Sequence, residues 1–289
     1  MSNVNFKLFC IYHKQTPVWK SDCIEPIQSG CALASTDLKL LRDDSGDNIS
    51  RKNANYGELT VWYWVWKNYI PTHPSLDYVG FCHYRRFLSF TDEKKAYISV
   101  SKFAKLFAQF YNKANIGRYL DADILLPPIH KVGKKSVLES FYEAHGKVDI
   151  DMFIDIVKKH HPSHADVVDT VLQGHEAYFF LNFVIKKDLF VAFMEWLFPL
   201  LEELEQNSNW EGYKSYASIR MPAYIVERFF MVWINIMQRE RGITIKHRHL
   251  HLIHQDLPLW KKIAKPFLFV FPHKKRIEIR KRWREKHPL

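Results

Sequence analysis

Short apolar runs of strand length alternate along this chain with longer amphipathic stretches. Asn5 to Tyr12 (NFKLFCIY) is the first such run, and it ends in His13, Lys14 and Gln15. Pro26 to Ala34 is small and polar and reads as a loop. Asp43 to Asn55 is crowded with Asp, Asn, Ser and Gly, whose side chains bond their own backbone and favour turns. Tyr56 to Tyr69 reads as a helix that is apolar nearly all round, with Glu58 in its first turn and Lys67 in its last. After a turn at Pro71 to Pro74, Asp77 to Cys82 fits a buried strand that runs directly into His83, Tyr84, Arg85 and Arg86.

Ser101 caps an amphipathic helix bearing Phe103, Leu106, Phe107, Phe110 and Tyr111, closed by Gly117. Asp123 to Leu126 is a short apolar run stopped by two prolines. Ser136 with Glu139 forms a capping box for a helix ending at Gly146, and another helix runs from Ser163 to Gly174. Tyr178 to Ile185 (YFFLNFVI) reads as a buried strand interrupted only by Asn182. Lys187 to Gln206 has helical spacing, with Pro199 expected to kink or divide it. Pro222 opens a helix to about Arg241, with Gly242 beyond. This alternation predicts an α/β fold on a mainly parallel sheet.

Charge changes the picture only once it is located. The net charge is +11, but eleven bases and two carboxylates fall after Trp260, so residues 1–260 carry only +2. The expected division is a near-neutral domain over 1–260 and a basic amphipathic tail over 261–289. The tail joins an apolar patch, Phe267 to Phe271, to a run of Lys and Arg suited to an anionic membrane surface. No apolar run reaches spanning length, and the first residues lack the pattern of a signal peptide. Cys10, Cys23, Cys31 and Cys82 form no CxxC pair and read as buried thiols of a reducing cytosol.

The strongest local chemistry is the strand end at His83-Tyr84-Arg85-Arg86. Carboxyl ends of strands are where open α/β sheets keep their ligands, and guanidinium forks bind phosphate bidentately. Glu227, followed by Arg228, interrupts an otherwise apolar helix, so its carboxylate is either paired or aimed at a cleft. Glu176 is the second carboxylate candidate. Asn182 fits either a ligand hydroxyl or a satisfied buried amide. Trp62, Trp64 and Trp66 read as core packing. His247, His249 and His251 share a face if their run is one strand, but no Cys or carboxylate completes a metal site. Asp121-Ala122-Asp123 precedes its apolar run, the wrong end for a ligand site.

One ordered set of motifs resembles a known family. Asp47-Asn48-Ile49-Ser50, Asn53, Tyr56, Glu58-Leu59-Thr60, Tyr63-Trp64, Trp66-Lys67-Asn68 and His83-Tyr84-Arg85-Arg86 carry the match. Ile11-Tyr12-His13-Lys14, Pro26-Ile27-Gln28-Ser29-Gly30, Leu181-Asn182-Phe183 and Glu227-Arg228 extend it. Together they resemble a bacterial galactofuranosyltransferase family of capsule, exopolysaccharide and O-antigen synthesis, long catalogued as a domain of unknown function. Gly57 stands where that family is expected to have Cys, and Trp62 where a smaller apolar residue is usual.

The resemblance implies a GT-A-like, Rossmann-type nucleotide-sugar-binding fold and inverting hexosyl transfer from a UDP-sugar, with galactofuranose as the expected sugar. Its implied donor site comprises Tyr12, His13, Lys14, Gln28, Gly30, Asp47, Asn48, His83, Tyr84, Asn182 and Arg228. Arg85 and Arg86 would stabilise the leaving diphosphate and Glu227 would be the base, with Glu176 in reserve. In many GT-A enzymes Asp-x-Asp holds a divalent Mg or Mn ion at this strand end. Here His-Tyr-Arg replaces it, which leaves metal dependence open. The acceptor expected is a polyprenyl-diphosphate-linked glycan, reached from the cytoplasmic face of the cell membrane. Two other classes fit less well. A nucleic-acid-binding protein would use the tail alone, against a neutral core lacking a zinc or RNA-binding module. A non-catalytic carbohydrate-binding protein would not need the strand-end arginines.

Overall fold

Alternation in the first strand, β1 (Phe6–Tyr12), sends Phe9 and Ile11 to one face and Leu8, Cys10 and Tyr12 to the other, and all five are buried. A strand apolar on both faces belongs in the middle of a covered sheet. That is its place in the computed structural model, which describes residues 4–210, 213 and 219–255. The remaining strands are β2 (Ile24–Gln28), β3 (Leu41–Arg42), β4 (Tyr78–His83), β5 (Arg86–Leu88), β6 (Tyr97–Ser99) and β7 (Ile124–Leu126). After them come β8 (His130–Lys131), β9 (Glu176–Ala177), β10 (Phe183–Lys186), β11 (Ile245–His247) and β12 (Leu250–His254).

The main sheet runs β11-β7-β10-β4-β1-β2-β3. β4, β1, β2 and β3 are mutually parallel, and β10 lies antiparallel between β4 and β7. β5 folds back from β4 and pairs with β12, which in turn pairs with β6, while β8 and β9 form a separate ribbon. The expectation of a mixed α/β fold with a mainly parallel sheet is met.

Helices cover both faces. α1 (Asn53–Tyr56), α2 (Leu59–Trp64), a π turn (Val65–Tyr69) and α3 (Ile70–Thr72) follow β3. α4 (Val100–Phe110) and α5 (Lys113–Ile116) precede β7. α6 (Val137–His145), α7 (Val148–His160) and α8 (Ala165–Gln173) lie between β8 and β9. The two longest are α9 (Lys187–Asn207) and α10 (Met221–Arg241). One core packs α2, α7, α9 and α10 around Phe81, Phe183 and Trp62, and a second packs α4 around Tyr12, Phe87 and Phe103.

Several local expectations are corrected. Pro26 suggested a loop, yet Ile24 and Ile27 are fully buried and place β2 between β1 and β3. The expected helix over 56–69 starts earlier and breaks at Gly57, then continues through Pro71, which is tolerated in the first turn of α3. Ser99, not Ser101, caps α4, accepting from Lys102 N–H. α7 was not expected. Pro199 does not divide α9; it sits on the exposed side, where the carbonyl it leaves unpaired can reach water. The run 178–185 is a strand only from Phe183, because Phe180 has φ +59°. The histidine run divides between β11 and β12, with His247 against Tyr178 Oη and His251 against Lys95 C=O, so no shared face exists.

All four cysteines are buried and free. Among the described residues no helix is long and apolar enough to cross a membrane. The predicted basic tail, 261–289, lies outside the described residues.

Candidate active site

The chain leaves β1 for β2 and β3 on one side, then returns to β4 on the other. The β1/β4 junction is therefore a topological switch point, where helices cannot close over the strand ends and a crevice remains. β1 delivers His13 there and β4 delivers His83, with ring centres 5.5 Å apart. The cleft holds about 550 Å³. Its lining includes the cations Arg85, Arg86 and Arg220 together with Glu58, Phe180 and Glu227.

Each wall is set by local chain chemistry. Asp43, fully buried, accepts from the N–H groups of Gly30 and Cys31 and from the hydroxyls of Ser50 and Thr60. That hub fastens the turn after β2, with Ser29 on the cleft, to the start of α2, which carries Glu58. Gly57 has φ +55° and ψ −128°, and a Cβ there would lie 2.2 Å from an Arg220 Nη atom. The missing side chain is what lets the Arg220 guanidinium lie against the α1–α2 break.

Across the cleft, Arg228 is buried between the rings of Phe141 and Phe179 and holds Glu227 Oε2 at 2.9 Å. Phe180 N–H donates to Glu227 Oε1 at 3.2 Å. Glu227 is thus oriented on both oxygens, whereas the Glu58 carboxyl makes no direct hydrogen bond or ion pair among the described residues.

Electrostatics follow from this crowding. Burial, then the charge of Glu227, raises the Glu58 carboxyl to about 7, against the pull of Arg86 and Arg220. Burial likewise raises Glu227, opposed by Arg228. His83 is lowered to about 2 by burial and then by Arg86, and His13 to about 4 by desolvation and then by Lys14. Both imidazoles are therefore neutral, and the positive charge of the cleft belongs to its arginines. The cleft therefore presents guanidinium forks beside neutral imidazoles.

Of the residues expected at the site, the structure brings His13, His83, Arg85, Arg86 and Glu227 into this cleft. Lys14 and Tyr84 line a neighbouring hollow of about 630 Å³, which Arg85 also reaches. The others lie elsewhere. Tyr12 is buried, with Oη bonded to Trp19 N–H and Pro17 C=O, so it braces the loop after β1. Gln28 spends its amide on Thr36 C=O and Leu38 N–H. Gly30 is occupied in the Asp43 hub. Asp47 accepts from Tyr63 Oη, and Asn48 closes a turn on Gly46 C=O and Ser50 N–H. Asn182 is a satisfied buried amide joining His83 N–H to Phe180 C=O, and Arg228 positions Glu227. Glu176 is exposed in β9, outside the cleft.

Sequence reasoning missed Glu58, Phe180 and Arg220 as wall residues. Glu58 had a signal, a carboxylate at the head of an apolar helix, but it was read as a helix-dipole partner. The carboxylates of Asp121 and Asp123 lie at the opposite end of the sheet, paired with Lys246 and Lys186. Among the described residues no cluster of three or more His, Cys, Asp or Glu side chains could hold a metal. The strand end itself presents guanidiniums, a donor set that does not fit Mg or Mn.

This sheet order with its switch-point cleft is a glycosyltransferase fold. The structure superposes with a TM-score of 0.79 on "WbbM bifunctional glycosyltransferase", at 30% sequence identity, covering 88% of this chain. The chain spans about half, 47%, of that protein's length. Residues 7–239 match the family described as a domain of unknown function, DUF4422, and the chain belongs to that family. No curated protein matches it.

Proposed function

We propose that this protein is a glycosyltransferase that moves a hexose from a UDP-sugar to a sugar acceptor, with inversion at the anomeric carbon. The observation that carries the reading is that one switch-point cleft brings Arg85, Arg86 and Arg220 together with the oriented carboxylate of Glu227. A glycosyl donor separates charge in the same way. The bond from the anomeric carbon to the diphosphate oxygen breaks and negative charge grows on UDP, while the acceptor oxygen bonds to that carbon and loses its proton. The guanidiniums stabilise the departing diphosphate without reorganising, and Glu227 takes the proton. Glu58, raised to about 7, is a second proton-holding group in the same cleft. No step draws on a metal ion.

Galactofuranose is the donor sugar the motif resemblance favours, and bacterial surface polysaccharide is the product class. The acceptor we assign is a polyprenyl-diphosphate-linked glycan at the cytoplasmic face of the membrane, with the tail from Lys261 on the anionic surface. The deciding experiment incubates purified protein with a panel of UDP-sugars and a lipid-linked acceptor mimic, and reads the product linkage by NMR. Transfer with an inverted anomeric centre supports the reading. Retention overturns the displacement mechanism, and no transfer from any UDP-sugar overturns the function.

A further inference from the structure

Phe180 stands in the cleft in a backbone conformation that bulky residues avoid, with φ at +59°. Three hydrogen bonds hold it there. Its N–H donates to Glu227 Oε1 at 3.2 Å, its C=O accepts from Asn182 Nδ2 at 2.7 Å, and Asn182 Oδ1 accepts from His83 N–H at 3.2 Å. The same short segment thereby ties the carboxylate of α10 to the end of β4. Its ring remains 37% exposed and lines the cleft, with the Arg86 guanidinium carbon 4.1 Å from the ring centre. The backbone bond to Glu227 thus holds Phe180 next to that carboxylate, with its ring on the cleft.

A hydroxyl that gives its proton to Glu227 must come within about 2.6–3.2 Å of it. That carboxylate carries the Phe180 N–H on one oxygen and Arg228 on the other, and the Phe180 ring lines the same cleft, within reach of a sugar ring that delivers the hydroxyl. Hexoses present an apolar C–H face that suits an aromatic surface. We infer that Phe180 is the platform of the acceptor subsite, taking the C–H face of the acceptor hexose and turning one hydroxyl toward Glu227. The inference rests on the proposed function and leaves the donor diphosphate to the arginines of the cleft.

The test compares Phe180→Ala, Phe180→Gly, Phe180→Leu and Phe180→Tyr. Calorimetry with UDP and initial rates of transfer to methyl hexopyranosides are the readouts. The glycine variant removes the ring while permitting the same φ, so it separates the ring from the backbone. With Ala, Leu or Gly, KM for the acceptor should rise about tenfold, while kcat stays within about threefold and UDP affinity within about twofold. Tyr should restore KM. Loss of UDP affinity with unchanged acceptor KM overturns the inference, because the ring then serves only Arg86. A fall in kcat with both constants unchanged also overturns it, the segment then acting solely on Glu227. A wild-type protein that transfers no sugar overturns the underlying function instead. Saturation-transfer NMR of the methyl hexopyranosides then decides the platform separately: aromatic protons of wild type, lost in the alanine variant, keep it, and no contact ends it.

Discussion

Glu58 and Glu227 enter one cleft from helices α2 and α10, and burial, then the charge of Glu227, keeps the Glu58 carboxyl protonated up to about pH 7. The sign of the consequence is fixed. Between 4.5 and about 7 the unfolded chain releases this proton and the folded chain keeps it. Stability therefore falls as pH rises through that window and levels off above it. Glu58→Gln should flatten the slope, by at most about 3 kcal/mol at one pKa unit per ~1.4 kcal/mol. Urea denaturation of both proteins at pH 5 and pH 8 measures it. Parallel slopes would refute the raised Glu58 carboxyl.

Arg86 is half-buried in the cleft, and burial lowers its pKa while Glu58 counteracts that. Arg86→Ala and Arg85→Ala should each reduce turnover about a hundredfold, the usual cost of one transition-state donor. Near-normal rates in both variants would remove the leaving-group assignment.

Glu227→Gln keeps the shape of the side chain but cannot take a proton. It should lose most turnover while binding UDP normally. Glu176→Gln, exposed outside the cleft, should behave as wild type. The reverse result would move the base to Glu176.

Gly57 combines φ +55° with the close approach of Arg220. Gly57→Ala should destabilise the fold by about 1–3 kcal/mol from backbone strain alone. It should also weaken UDP binding by displacing the guanidinium. Arg220→Ala should lower UDP affinity with much less loss of stability. An alanine variant at position 57 with unaltered melting and UDP affinity would contradict the close packing.

The tail after Trp260 carries +9. Its removal should abolish sedimentation with anionic liposomes while sparing transfer to a short soluble acceptor. Binding by the full chain should weaken with salt, since screening shortens surface charge to about 8 Å at physiological ionic strength. Equal sedimentation of the two forms would place any membrane contact elsewhere.

The sequence by itself determined the α/β class, the buried β1 and β4, the strand-end cluster His83 to Arg86, and the carboxylate interrupting α10. These were legible because burial imposes a local pattern: apolar runs must end where polar groups begin. The tertiary structure alone decided which polar groups meet. Gln28, Asn48 and Asn182 have the chemistry of a sugar site, yet their amides bond neighbouring backbone groups, which no local pattern reveals. Glu58 and Glu227 are 169 positions apart in the chain. Only the packing of α2 and α10 around the switch point makes them neighbours and shifts their protonation. Phe180 read as one more strand residue, because strain enforced by bonds to Glu227 and Asn182 leaves no trace in hydrophobic periodicity.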